Sequence, residues 1–259
     1  MKQPNKKIGV LDLNTDNIYV LNSIRNKFIN DDIYYVNGLN IDNIDEMDVE
    51  ELKRSVSKSI EYLLSKNVDV LLVASDSVIE FCEDLITELE VPVINIINET
   101  INYVNEQYEY KNIGFLSTNS MIEANIYQKN IRYNHLYTMI GDDLKKLILN
   151  QLVKTTESFQ ETKNVVVSIY KKDVDIIIPS LVNFLTVKTE IFEYIKDAQI
   201  LPLDEILVNC ISNVLYKEEG LPLKGKGKTY LYSQEQFDLA SLKRLIKIKY
   251  QIDNTYQVQ

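Results

Sequence analysis

Short apolar runs that do not alternate with polar residues, each followed by a stretch of helical periodicity, constrain this chain more than any other feature. Ile8–Leu11, Ile33–Val36, Val68–Val73, Val91–Ile97, Ile113–Leu116, Tyr133–Tyr137, Val174–Ile178 and Gln199–Leu203 are such runs. An apolar run without period-two alternation reads as a strand buried on both faces, the mark of a parallel sheet. Between the runs, Val49–Lys66 places Leu52, Val56, Ile60, Leu63 and Leu64 on one stripe, as an amphipathic helix does. Ile79–Glu90, Met121–Ile131, Asp142–Val153 and Thr186–Lys196 read the same way. Strand–helix alternation repeated this often predicts an α/β protein with right-handed crossovers. The two successive sets predict two similar lobes with mainly parallel sheets flanked by helices and a cleft between them. The first lobe is expected over 1–97 plus 208–259 and the second over 98–207. Ligands of such sheets sit beyond the carboxyl ends of the strands, so the residues just after each run are the candidates for function.

Composition removes several classes of function. The net charge of −10 argues against direct nucleic-acid binding, which needs clustered Lys and Arg at phosphates. The basic stretch Lys243, Arg244, Lys247, Lys249 reads as the solvated face of a helix. Glycine occurs only seven times, which leaves few places where backbone can close on a phosphate. Lys224–Lys228 carries glycines but lacks the spacing of a phosphate loop and precedes a strand, Thr229–Tyr232, so a turn with solvated lysines is expected. Cys82 and Cys210 are the only cysteines and His135 the only histidine. They offer no metal site, no expected disulfide and little scope for histidine relays. Both cysteines are expected to be buried and structural, and His135 to be a packing or edge residue. No apolar run nears the roughly 18 residues of a membrane span, and the N-terminus shows no signal-peptide pattern. A cytoplasmic protein with no membrane partner is expected.

The strand ends carry a further pattern. Ile8-Gly9-Val10-Leu11-Asp12 is followed by Val20-Leu21 and Ile24-Arg25, and Asp69–Val73 by Ala74-Ser75-Asp76-Ser77. Pro92–Glu99, Lys111–Thr118 with Tyr127, Val174–Ile178 and Gly227–Ser233 continue the series. In order and spacing these segments resemble the glutamate racemases, within the aspartate/glutamate racemase family, over nearly the whole chain. The resemblance implies a cofactor-independent isomerase: one thiolate removes the Cα proton and a thiol on the opposite face returns it. Cysteine suits both roles because its pKa lies near neutrality.

Here the chain departs from the family it resembles. The first cysteine position is Ser75, too weak an acid to serve as base without an activating neighbour. Leu181 holds the second, with Val182 and Asn183 where the family has threonine and histidine. The register around Pro179 to Asn183 stays open by one or two residues, and no such slip finds a cysteine. The glycine-rich segment after Asp12 becomes Leu13-Asn14-Thr15-Asp16-Asn17. The next family loop becomes Asn37–Ile44, running into Asp45, Glu46, Asp48, Glu50 and Glu51, expected to be a solvated loop and a helix start. Asp12, Ser75, Asp76, Ser77, Thr118 and Asn183 are left as residual cleft residues. Asp12 either orients an ammonium or caps the following turn, and Asp76 and Ser77 either face the cleft or cap a helix.

Two readings follow. One is a catalytically silent racemase homologue, a pseudoenzyme with a structural, protein-binding or regulatory role, partnered by a second copy, another protein or a small carboxylate. The other is a cofactor-independent racemase or related enzyme acting on a small carboxylate through altered residues such as Asp12, Asp76 or Ser75. Neither calls for a metal or cofactor.

Overall fold

The computed structural model describes residues 5–38, 48–217, 225–234 and 239–253, the side chains of 239–241 excepted. The chain runs β1 (Lys7–Asp12), α1 (Val20–Lys27), β2 (Asp32–Asn37), α2 (Val49–Ser65), β3 (Val70–Val73), α3 (Asp76–Phe81), α4 (Glu83–Thr87), β4 (Val93–Asn95) and α5 (Ile96–Gln107). It continues with β5 (Asn112–Ser117), α6 (Asn119–Ala124), α7 (Ile126–Asn130), β6 (His135–Ile140), α8 (Asp142–Leu149), α9 (Thr156–Val166), β7 (Ile176–Pro179) and α10 (Lys188–Tyr194). Then come β8 (Gln199–Ile200), α11 (Leu203–Tyr216), β9 (Thr229–Ser233), α12 (Leu239–Leu245) and β10 (Gln251–Ile252). Turns of 3-10 helix lie at Val167–Ile169 and Val182–Val187. The fold divides into two compact units, Met1–Ile96 with Leu207–Gln259, and Ile97–Ile206. Among the described residues, no helix is long and apolar enough to cross a membrane.

The first unit holds a six-stranded sheet in the order β10-β9-β2-β1-β3-β4, parallel at every pairing. β1 lies between β2 and β3, and Ile8, Val10, Leu11, Leu71 and Leu72 are wholly buried. That explains why their runs show no polar alternation. α2 begins where Asp48 accepts a bond from the Glu50 amide at 3.0 Å. Glu50 and Glu51 in its first turn suit the positive end of the helix. The rest of the acidic stretch, including Asp42, Asp45 and Glu46, lies outside the described residues. Around the glycines before β9, Gly227 donates to the Ile29 carbonyl at 3.0 Å, and a Cβ there would strike the Asp31 carbonyl. Glycine is needed for this backbone crossing, which is a structural use; Lys224 lies outside the described residues.

The second unit holds a four-stranded sheet, β6-β5-β7-β8, also parallel throughout. Phe115, Ile177 and Ile178 fill its centre, fully buried.

Several boundaries differ from the periodicity. The run Val91–Ile97 is strand only to Asn95, because Ile96 and Ile97 already open α5. A buried helix start and a buried strand present the same apolar letters. Ile79–Glu90 is divided at Cys82, whose φ of −130° leaves the helical region. Met121–Ile131 is divided at Asn125, left-handed at φ 60°, a conformation asparagine tolerates better than most residues. Thr186–Lys196 opens in a 3-10 turn before α10. α9 goes unread by apolar spacing; it is started by a capping box in which Thr155 and Ser158 bond each other's backbone.

Candidate functional site

In the first unit the carboxyl ends of β1 and β3 bring Asp12 beside Ala74 and Ser75, since the Ala74 amide donates to the Leu11 carbonyl at 2.8 Å. Asp12 is fully buried. One carboxylate oxygen accepts from the Leu13 amide at 2.9 Å, and the other from the Asn17 amide at 2.9 Å and the Tyr35 hydroxyl at 2.8 Å. The Asn17 side-chain amide in turn donates to the Ala74 carbonyl. Asp12 thus holds the turn from Leu13 to Asn17 closed over the end of its own strand. Burial, with a smaller push from the nearby Asp16 charge, raises its carboxyl to about 8, while the three donors pull it back.

That turn is strained. Asn14 and Thr15 both lie at φ 58°, and a β-branched residue there is an outlier. The segment keeps left-handed backbone without the glycines that adopt it at no cost. Asn37 pairs with Asp12 in register and so shares its face of the sheet. Its side-chain oxygen is buried and has no hydrogen-bond partner among the described residues.

Ser75 is the N-cap of α3, its hydroxyl oxygen accepting from the Val78 amide at 3.4 Å. Asp76 begins the helix and is nearly buried, while Ser77 beside it is half-buried. Cys82, at the end of α3, is fully buried, and burial pushes its thiol up to about 11, the opposite of a reactive thiolate.

In the second unit the ends of β5 and β7 bring Thr118 together with Ser180, Leu181 and Asn183. The Ser180 amide donates to the Leu116 carbonyl at 2.9 Å, and the Ser117 hydroxyl donates to that of Ser180 at 2.8 Å. Thr118 caps α6, its hydroxyl oxygen accepting from the Met121 amide at 3.5 Å. Leu181 is 4% exposed and leads into the 3-10 turn that holds the buried Asn183. His135 is exposed on the outer strand β6, and Cys210 is half-buried on α11. Among the described residues, no cluster of histidine, cysteine and acidic groups is fit for a metal ion.

The two units therefore each gather one set of candidates at a strand end: Asp12 with Ser75, Asp76 and Ser77, and Thr118 with Leu181 and Asn183. Sequence reasoning missed Tyr35, Asn17, Asn37 and Ser180. Their importance comes from the β1–β2 and β5–β7 registers, for which a linear pattern carries no signal beyond the polar residue closing each apolar run.

No family model matches the chain. It is 22% identical over 236 residues to the glutamate racemase of Hydrogenobaculum sp. (strain Y04AAS1), covering 87% of this chain and 86% of that one. Among solved structures, glutamate racemase isoform RacE1 of Bacillus anthracis superposes with a TM-score of 0.83 at 20% identity over 97% of both chains. The glutamate racemase of Thermus thermophilus, solved with β-chloro-D-alanine, gives a TM-score of 0.82 at 17% identity, again over 97% of both chains.

Proposed function

The chain is a homologue of the glutamate racemases in sequence and fold, and from that premise we propose that it has lost their reaction and serves as a binding protein. The observation that carries this reading is the pair of residues at the two strand ends. Ser75 spends its side-chain oxygen on capping α3, and Leu181 has no group that transfers a proton. Racemisation through two faces needs a base on one and an acid on the other, each with a pKa near the working pH. A serine hydroxyl lies far above that range, and the protein's one histidine sits on an outer strand. Cys82 is no substitute, being buried with its thiol raised to about 11. Losing one general acid–base group costs roughly 10²–10⁴-fold, and here both are lost.

Binding remains open to such a protein. Among the described residues the Asn37 side-chain oxygen, in register with Asp12, is a buried acceptor without a partner, which a ligand's N–H or O–H would satisfy. A small carboxylate carrying an amino group is the ligand class the fold suggests, and a regulatory or structural role with a protein partner follows from the same loss of chemistry.

One observation favours a second reading, an enzyme of altered chemistry on a small carboxylate. Burial raises Asp12 to about 8, within the range of a general acid–base group. A single experiment separates the two: Cα–H exchange of L- and D-glutamate and of aspartate in D₂O, followed by proton NMR. The silent protein gives no exchange over days, and the double variant Ser75→Cys with Leu181→Cys gains it. Exchange by the natural protein, abolished in Ser75→Ala or Asp12→Asn, overturns the proposal in favour of the enzyme.

A further inference from the structure

Fully buried polar side chains are nearly always bonded, and an exception points to a group from outside the chain. In the second unit α9 and α10 pack against each other, tied by the Tyr194 hydroxyl, which donates to the Phe159 carbonyl at 3.0 Å. Between them they carry three polar side chains at 0% exposure: Ser158, Thr162 and Glu190. Ser158 and Thr162 are four residues apart on α9 and so lie on one face of it, a turn apart. Glu190 stands in the first turn of α10.

One oxygen of the Glu190 carboxylate, Oε1, accepts from the Lys154 amide at 2.7 Å and from the Ser158 hydroxyl at 3.2 Å. The single Ser158 hydrogen is shared with the Thr155 carbonyl at 3.1 Å, so the amide is the one undivided donor to this carboxylate. The other oxygen, Oε2, has no hydrogen-bond partner among the described residues, and neither has the Thr162 hydroxyl. Among those residues no Lys or Arg forms an ion pair with Glu190. A carboxylate so placed is a buried negative charge without a counter-charge, which a low-dielectric interior penalises heavily.

We propose that Ser158, Thr162 and Glu190 hold one monovalent cation, sodium or potassium, between α9 and α10. The side-chain ligands are oxygens alone, the donors that hard cations take. One positive charge balances the one carboxylate. A divalent ion would exceed it, and no cluster of acidic, histidine or cysteine side chains fit for one exists among the described residues. Simpler occupants each answer half of what the geometry asks. A proton on Oε2 removes the charge, yet no described group is placed to receive it in a hydrogen bond. A water molecule bonds to both free oxygens but leaves the charge uncompensated. A cation does both. Its position bears on the strand end of this unit, because α10 follows directly on the 3-10 turn Val182–Val187 that holds Asn183. The Lys154 amide bonded to Glu190 belongs to a loop in which Gln151 and Lys154 lie at φ 65° and 59°. The ion thus fastens the base of that turn to α9 and to the strained loop before it. The inference is independent of whether the strand-end residues are catalytic.

Thermal unfolding of the full chain in sodium, potassium and choline chloride at one ionic strength is the test, choline being too large to enter. Raising sodium or potassium from about 2 to about 200 mM, with choline making up the difference, is expected to raise Tm by roughly 3–6 °C. Whichever ion does so at the lower concentration is the occupant. Glu190→Gln loses the dependence. Thr162→Val keeps the shape of the side chain but removes an oxygen, and moves the dependence to at least tenfold higher concentration. Hydrogen exchange localises the effect: the Lys154 amide, bonded to Glu190, and the Phe184 amide, bonded to the Leu181 carbonyl within the turn, slow with the ion. In Glu190→Gln they do not. Should Glu190→Gln fail to fold, Thr162→Val and the exchange of these two amides in the natural protein decide. Equal Tm in all three salts overturns the proposal, as does a cation dependence that the variants retain unchanged.

Discussion

Replacing Asp12 perturbs the most heavily bonded side chain at the candidate site, and its effect is predictable in size and in pH dependence. The carboxylate accepts bonds from the Leu13 and Asn17 amides and the Tyr35 hydroxyl, at zero exposure. Asp12→Ala leaves those donors buried without an acceptor, at about 1–3 kcal/mol each where water does not enter. Against this stands the cost of burying charge. The folded pKa of about 8 lies above the ordinary 3.8, so the folded state holds a proton that the unfolded chain releases. A group raised in this way contributes its full stabilisation below pH 3.8. It loses it as pH rises through about 8, at about 1.4 kcal/mol per pH unit. Across that window the change is on the order of 5 kcal/mol. The stability difference between natural protein and Asp12→Ala is therefore largest at and below about pH 4, shrinks steadily up to about pH 8 and levels off above it. Urea unfolding of both proteins at successive pH values gives the difference, in which titrating groups not coupled to Asp12 cancel. Hydrogen exchange of the Leu13 and Asn17 amides localises it to the first unit. A difference that is flat, or that grows with pH, refutes the reasoning: it means the three donors outweigh burial and hold Asp12 as an ordinary carboxylate.

Other outcomes follow from the same geometry. Asp16→Asn removes the neighbouring charge that raises Asp12, so the upper end of this pH window moves down in the same titration. Ser75→Ala costs only about 0.5–1 kcal/mol, because the cap it removes is a long 3.4 Å bond; a loss above about 2 kcal/mol in thermal unfolding assigns Ser75 more than a cap. Arg25 donates to the carbonyls of Phe28, Asp31 and Lys228 and to the Thr229 hydroxyl. Arg25→Ala is expected to destabilise the first unit by about 2–4 kcal/mol through orphaned acceptors, read from the urea midpoint. Iodoacetamide at pH 8 modifies half-buried Cys210 before buried Cys82, and mass spectrometry of the native protein finds Cys82 labelled only after unfolding.

Alternation of apolar runs with amphipathic stretches was enough to specify parallel α/β lobes, because a strand covered on both faces has no polar residue to spare. The centres of β1, β3, β5 and β7 are legible for that reason. Their ends are less so: nothing local distinguishes Ile94, in a strand, from Ile96, at a helix start. Likewise Asn125 and Cys82 break helices through backbone angles that their letters do not announce. At the candidate site the identities of Ser75 and Leu181 were readable from their place after an apolar run, and with them the absence of a thiol at each position. What Asp12 does was not readable, since its partners Tyr35 and Ala74 are far away in the chain and meet it only once β1 lies between β2 and β3. Tertiary structure alone made that carboxylate the buried clasp of a turn, because strand order and register decide which donors a buried acid meets. It also alone exposed the outer edge of β6, whose uncharged six residues read, in one dimension, like any other strand of the core.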